Sequence, residues 1–535
     1  MLEHHILNLN LNLDLDEEPA LLRNKAAVIL GVPPSLIAAV TILRRSVDAR
    51  RRRPPRLFFE ISVTIADHEM GSDSGSVHWG DRSPMHLWDK RDFTTHAGCI
   101  HQPVIIGSGP SGLFAALVLV MHGLRPLVLE RGKAVAERVR DVSGFWKQGI
   151  LDPSSNVHFG EGGAGTFSDG KLTSRTRNPY AAWIRNIFVE LGAPAEILFD
   201  AHPHIGTDHL RNIVINLRRK LIAMGAEIRF SSCVTDLQIH KSRLAGIVVN
   251  GREAIPASHV ILGIGQAAED TYECLLTRGV AMAEKPFAIG LRIEHPQQQI
   301  NRIQYGIWTG HRALPPAEYF LKVRAGERSV YSFCMCPGGR VIACSSDEGR
   351  VVTNGMSDYQ RDGEWANSAV VVNARVEDLP KDGPLSGLAF RRHWEEKAFI
   401  LGGKSYYAPA QSLIDFLEDG EGRIEGQTSY LPGVTAVPMQ ETLPAFAVEA
   451  LKAGILEFDR KMKGFVNRSA QLIGVETRTS SPVRILRGEN GQSLTVSGLY
   501  PCGEGSGYAG GIVTSALDGI NAALLMMGIR SAHRK

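Results

Sequence analysis

In "VIIGSGPSGLFAAL", residues 104–117, three glycines are spaced for one task. Gly107 permits a tight turn out of a strand, Gly109 lets the backbone approach a pyrophosphate, and Gly112 lets a helix pack closely on that strand. Pro110 and Ser111 lie where the helix starts, so its free N–H groups and partial positive charge face the phosphates. An acid, Glu130, then closes the next apolar run in "LVLERG", followed by Arg131. Its carboxylate can accept from a ribose 2′-hydroxyl and would repel a 2′-phosphate. Strand, triplet, helix, strand and terminal acid in one unit form a specific dinucleotide signature, where a bare triplet would be weak.

A second glycine-rich stretch, "LYPCGEGSGYAGGIVTSALDG", stands at residues 499–519. A simple NAD dehydrogenase has no need of another strand–Gly–acid–Gly–helix motif at its end. Flavoproteins of the two-dinucleotide-binding class do: the acid bonds the ribityl or phosphate part, and the following helix points its N-terminus at the cofactor. Here Gly503 and Glu504 supply the first element, and Gly510, Gly511 and Ile512 the second. The middle segment "VILGIGQ", with Gly265, fits the passage beneath the cofactor. It lacks a third glycine and a closing acid, so it is not a second nucleotide site. The two ends of the chain are therefore expected to hold one FAD, and Val234 is assigned to the same site.

Between these motifs runs "HFGEGGAGTFSDGKLTSR", residues 158–175. Glycine-rich loops make anion nests from successive N–H groups. Gly163, Gly165, Thr166, Ser168, Asp169, Gly170 and Lys171 are read as flavin-contacting, with Lys171 available to stabilise negative charge on a reduced flavin. "FCMCPGG" places Cys334 and Cys336 two apart, facing one side of a regular strand. They are candidates for a redox dithiol, although adjacent same-face sulfurs make a strained disulfide; the alternative is two small core residues. Lys171, Cys334 and Cys336 are the catalytic candidates. In "ETRTSSPVRI", Arg478 and Arg484 with four hydroxyls suit a carboxylate or phosphate, or else a structural Arg–carboxylate network. The histidines lack partners at metal-ligand spacing, so no metal site is expected.

The elements that must position these residues follow from periodicity. "LNLNLNLDLD" alternates as a half-buried strand, and the first 70 residues read as a small β-α-β-β module. Its loop carries Arg44, Arg45, Arg50, Arg51, Arg52, Arg53 and Arg56. A solvated loop, a protein partner and nucleic acid are all compatible with it, and the scarcity of aromatic neighbours disfavours nucleic acid. Residues 71–101 read as a linker, 102–276 as the first part of an α/β FAD-binding domain, 277–430 as an inserted β-rich substrate domain, and 431–535 as the second FAD-binding part.

The 535 residues carry a net charge of +3, with 44% hydrophobic and 21% charged residues, as in ordinary soluble globular proteins. This balance argues against wholesale nucleic-acid or membrane binding. Seven scattered cysteines do not make a secreted disulfide framework. Neither a signal peptide nor a run long enough to span a membrane is read, so a cytoplasmic location is expected.

Longer strings add a resemblance. "RRSVDARR", "GEGGAGTFSDGKL", "IGLRIEHPQ", "YSFCMCPGGRV", "NGMS", "ETRTSSPVRI" and "LYPCGEGSGYAGGI" are similar to the FAD-dependent dehydrogenase family often labelled NAD(FAD)-utilising dehydrogenases. "GIGQAAED" departs from the Ala-Thr-Gly-His-Ser expected there. The resemblance implies a glutathione-reductase-type, Rossmann-like FAD fold with an inserted substrate domain and no separate NAD(P) domain. It implies an FAD-dependent oxidoreductase acting on a small molecule, with an anionic substrate and a protein electron carrier both compatible. The rival readings are a flavin monooxygenase, an RNA-associated flavoprotein and a protein that uses FAD structurally.

Overall fold

The alternation of the first segment becomes strand His5–Asp14, with Leu11 and Leu13 buried and the intervening Asn12 exposed. It pairs antiparallel with Arg56–Ile65, which pairs antiparallel with Ile37–Asp48. Helix Leu21–Leu30 closes one face through Leu22, Ala26 and Ala27. This computed structural model describes residues 5–50, 53–65, 77–79, 102–174, 176, 178–381 and 383–529. Arg51, Arg52, Cys99 and most of the expected linker lie outside the described residues. Within that linker stretch Val77–Trp79 is a strand, parallel to Ile37–Asp48, so these three residues belong to the module's sheet.

The module is fastened to the next body by backbone and side chain together. Arg45 N donates to Phe199 O (2.8 Å), and Ala201 N donates to Arg45 O (2.9 Å). The Arg45 guanidinium forks onto Asp200 (2.7 and 3.0 Å) and lies 5.2 Å from the Phe199 ring centre. Other cations of the loop are also paired locally, Arg50 with Asp48 and Arg56 with Asp14.

The second body is a parallel five-stranded sheet in the order Leu499–Pro501, Val260–Leu262, Val104–Ile106, Leu127–Leu129, Glu227–Arg229. The last strand of the chain thus pairs with the middle segment, and the middle segment with the first glycine motif. Helix Pro110–Met121 is buried on nearly every side, from Ser111 to Val120, and packs with helix Ile512–Met526. A helix apolar all round belongs in a core. Phe114 meets Trp183 and Phe188 edge-on, at 6.0 and 5.5 Å between ring centres; each such pair adds about 0.5–1.5 kcal/mol beyond area burial.

The third body is an eight-stranded sheet built on Phe287–Pro296, Arg328–Ala343, Trp365–Ala374 and Gln471–Glu476. Here the structure departs from the expected boundary at 430. Gln471–Glu476 pairs antiparallel with Phe287–Pro296, and helix Ala445–Lys461 puts Leu451, Ile455 and Phe458 into the same core as Val330 and Val372. Helix-then-strand periodicity looks the same whichever sheet it joins, which is why residues 431–476 read as a return to the nucleotide-binding body. Among the described residues no helix is long and apolar enough to cross a membrane, and no group of three metal-ligating side chains converges.

Among the described residues, none before Ile106 lines the cavity at the carboxyl ends of the parallel strands. A chain lacking residues 1–65 is therefore expected to keep FAD when purified, read from its visible absorbance. A folded but colourless truncation, shown by circular dichroism with no flavin spectrum, would make the module part of the cofactor site.

Candidate functional site

At the carboxyl ends of the parallel strands lies a cavity of about 390 Å³. Small-molecule sites fall in the range of about 300–1,000 Å³, and open α/β sheets place ligands at this end. The strand ends and first loops supply Gly107, Gly109, Pro110, Ser111, Glu130 and Arg131. The long loop supplies Gly163, Gly165, Ser168, Asp169, Gly170 and Lys171. Val234, Gly265, Glu504, Gly510, Gly511 and Ile512 complete the set, and Cys334 reaches in from the inserted sheet.

Four of the expected residues do not line it. Gly112 is a packing glycine: a Cβ there would sit 1.9 Å from Gly107 O. Gly503 is pressed against Ser111, where a Cβ would lie 2.7 Å from Oγ, and its N–H donates to Asp518 (2.8 Å). Thr166 turns its hydroxyl to Glu161 O (3.1 Å), and Cys336 is buried in its sheet.

Glu130 is more heavily engaged than its position in the sequence implies. Its carboxylate accepts from Ser108 N (2.9 Å) and Ser108 Oγ (2.8 Å) on one oxygen, and from Gly132 N (2.9 Å) and Gly160 N (3.0 Å) on the other. It ties the first glycine loop to the second. Arg138, fully buried, holds that second loop from behind, donating to the carbonyls of Asn156, Val157 and Glu161. Burial without a hydrogen-bonded carboxylate pulls its guanidinium down to about 10.

Several expected ligand-binding charges are already paired. Asp169 takes the Arg361 fork (3.0 and 2.6 Å), which holds its carboxyl below the usual range despite burial. Arg478 forks onto buried Glu395 (3.0 and 2.8 Å) and reaches Asp347 (3.2 Å), so it belongs to a structural network and offers no free fork. Arg484 donates to Gly507 O (3.3 Å) and lies 5.1 Å from the Tyr508 ring centre.

The cavity also contains polar groups that the sequence did not single out. Gln266 donates to Glu504 Oε1 (2.7 Å) and to Arg478 O (2.7 Å), while Arg391 donates to its side-chain oxygen (3.1 Å). His158 faces the cavity, its Nε2 buried and unpartnered among the described residues, and burial pushes it well below the ordinary histidine value. Burial raises two carboxyls, Glu504 and Glu476, to about 7. Glu476 sits 3.5 Å from buried Arg292, too far for a hydrogen bond, and burial outweighs the attraction. The His-Phe pair at the start of the glycine-rich loop is the one sequence signal that could have pointed to His158. Nothing in sequence order could place Gln266, Glu476 and Arg292 together.

The surface fits a dinucleotide. Helices Pro110–Met121 and Ile512–Met526 both start without a side-chain cap, leaving N–H groups for an anion. In front of the second, a Cβ on Gly510 would meet nothing within 4 Å, so open space stands where a cofactor passes. Deeper in, the loops touch backbone to backbone: a Cβ on Gly163 would lie 3.1 Å from Gly109 Cα.

The family described as "FAD-dependent protein, C-terminal domain-like" matches residues 286–479, and a domain of unknown function matches residues 3–65. An uncharacterized protein of Clostridium beijerinckii is 43% identical over 519 residues, covering 96% of this chain and 97% of that one. A probable indole-3-pyruvate monooxygenase of Arabidopsis thaliana is 43% identical over 67 residues, 12% of this chain and 14% of the other. The glycine oxidase of Bacillus cereus superposes with a TM-score of 0.34 at 10% identity, covering 81% of this chain and 99% of that one. The chain belongs to the family of the Clostridium relative, residues 286–479 match the FAD-dependent family model, and the cofactor is FAD.

Two outcomes are expected. Gly112→Ala drives a methyl into the Gly107 carbonyl and should weaken FAD at least tenfold, about 1.4 kcal/mol; unchanged FAD affinity by flavin-fluorescence titration contradicts this. The second concerns Glu504. Its carboxyl is raised on folding, so its contribution is complete below its unfolded value and is lost as pH rises through about 7. Glu504→Gln cannot ionise, so its Tm should gain on the wild type between about pH 5 and pH 8. A Tm difference independent of pH overturns that reading.

Proposed function

We propose that this member of the FAD-dependent protein family is an oxidoreductase that passes a hydride or electron pair through FAD. The carrying observation is that one cavity is lined at one end by both glycine motifs and at the other by Lys171, Cys334 and Glu476. When bound, FAD supplies two-electron chemistry. The chain's own groups position it and manage charge. The two uncapped helix starts would hold its phosphates. Glu130, on the cavity wall, would hold a ribose hydroxyl. Lys171, whose ammonium donates to Met335 O from the cavity wall, would supply a positive charge to a reduced flavin. Glu476, poised near neutrality, can hold or release a proton beside the substrate. The inserted sheet sets substrate choice, and the reading extends to a cytoplasmic enzyme working on a small molecule.

A monooxygenase reading draws support from the short match to the Arabidopsis protein. Rapid reoxidation by oxygen coupled to substrate hydroxylation would favour it. An RNA-binding role for the arginine loop is weakened by the local pairing of Arg45, Arg50 and Arg56.

The electron donor follows from the motif count. The chain has one complete nucleotide fingerprint, and FAD occupies it. NADH and NADPH would have to reach the flavin without a phosphate-binding helix of their own. Anaerobic stopped-flow mixing is expected to show slow reduction by either nicotinamide, with no saturation at micromolar concentration. Fast, tightly saturating reduction would demonstrate a nicotinamide site and replace a carrier or the substrate as the better donor.

A further inference from the structure

Strand Arg328–Ala343 is irregular where it passes the cavity. Cys334 has φ 47°, a left-handed conformation that costs a non-glycine residue energy, and pairing with Trp365–Ala374 slips register between Phe333 and Cys336. The alternation of a regular strand is therefore broken at the Cys-Met-Cys run. Cys334 lines the cavity, while Cys336 is fully buried behind it, its thiol donating to Cys334 O (3.3 Å). Buried Arg292 donates to Cys334 O (2.9 Å) and stands 3.7 Å from Cys336 Sγ.

The groups around the pair come from four segments. Lys171 and Asp169 approach from the glycine-rich loop, Arg292 from its strand, Glu476 from the neighbouring strand and, further off, Glu504 from the C-terminal motif. The Cys336 thiol, Lys171 and Arg292 favour a Cys334 thiolate and pull that thiol below its ordinary value, whereas Cys336 is pushed up. Asp169 opposes the shift because of its own charge, which Arg361 compensates. The accessible sulfur is thus the one set up as nucleophile, and the protonated sulfur waits behind it. In thiol–disulfide exchange the attacking sulfur needs both thiolate character and access.

We propose that Cys334 and Cys336 form a redox dithiol that exchanges an electron pair with FAD, and that the outside substrate is a thiol or disulfide compound meeting Cys334. This rests on the FAD oxidoreductase reading above. In the oxidising direction, the Cys334 thiolate and the Cys336 thiol form one S–S bond and break one S–H bond. Their electron pair and the Cys336 proton pass to oxidised FAD, which ends reduced and carries the negative charge that the thiolate lost. Glu476 lies within reach to relay that proton. A substrate dithiol then restores the pair by attacking the Cys334 sulfur, leaving as a disulfide. A bridge between residues two apart is strained, and strained disulfides are the labile, catalytic ones.

The test uses FAD-loaded protein under anaerobic conditions. Titration of the oxidised protein with dithionite is expected to consume two electron pairs per FAD in the wild type and one in Cys334→Ser or Cys336→Ser. In parallel, the oxidised wild type is alkylated and digested. The peptide holding both cysteines should resist alkylation and be two hydrogens lighter, and alkylate fully after reduction. Alkylation of the reduced protein against pH should find Cys334 reacting at lower pH than Cys233, whose thiol burial pushes up. One electron pair in the wild type with both thiols open to alkylation in the oxidised protein overturns the dithiol while leaving the FAD reading intact. A bound flavin that dithionite reduces but that no candidate substrate reduces, thiols included, overturns the proposal and the FAD oxidoreductase reading together. If either variant fails to fold, the wild-type peptide masses still decide.

Discussion

Glu130 is bonded by the backbone or side chains of Ser108, Gly132 and Gly160 at once. Removing a carboxylate from water costs several kcal/mol, and a hydrogen bond to a charged group returns about 1.5–3. Four such bonds make the burial tolerable only because three separate loops arrive together. The same acid that reads as a ribose ligand in sequence is, in the fold, the clasp between the turn after Val104–Ile106 and the long glycine-rich loop. Arg138 closes that loop from the other side with carbonyl bonds alone. Geometry at the phosphate end therefore depends on this acid before any cofactor is considered.

The second constraint is topological. Strand Leu499–Pro501 pairs with Val260–Leu262, which pairs with Val104–Ile106, and helix Ile512–Met526 packs on Pro110–Met121. The closest approach is at Gly519, where a Cβ would lie 1.9 Å from Ser111 O. These contacts span the length of the chain, and long-range pairing of parallel strands pays its loop-closure entropy before any contact rewards it. The core of the inserted sheet also takes in Val142, Phe145 and Trp146 of helix Val135–Gln148, so the long segment between the two glycine motifs is packed onto the part that carries the first of them.

The sequence made the nucleotide end legible because each residue there acts locally. Gly107, Gly109 and Gly112 carry their reasons in their own backbones, and Glu130 follows at a fixed distance along one βαβ unit. The alternation in residues 7–16 fixed a strand and its buried face for the same reason. What stayed hidden required knowing which elements share a sheet. Residues 431–476 look like any helix and strand, yet they complete the inserted body. Arg478 looked like an anion site until Glu395, more than eighty residues earlier, was seen to take its fork. The sequence could not show that Gln266 is held by Arg391 or that Glu476 lies beside Arg292, because those partners are set by tertiary packing alone.

The two ends of the cavity also differ in physical character. At the phosphate end the wall is mostly glycine backbone and the Glu130 carboxylate is fully hydrogen-bonded, so what is left for a ligand is backbone N–H at the two helix starts. At the inserted-sheet end, Arg292 Nη1 and Glu476 Oε2 are buried without a hydrogen-bond partner among the described residues, and Cys334 is held in a left-handed conformation. Unpaired buried polar atoms and backbone strain cost stability, and a sheet as extensive as this one could have offered Val or Ile at each position. Buried polarity runs through this sheet, since Glu294, His295 and Gln471 are buried in it as well; what sets the cavity wall apart is that Cys334 and Glu476 open onto the cavity. Polar groups sealed inside a sheet can meet only one another, whereas those that line a cavity are the ones a ligand can reach.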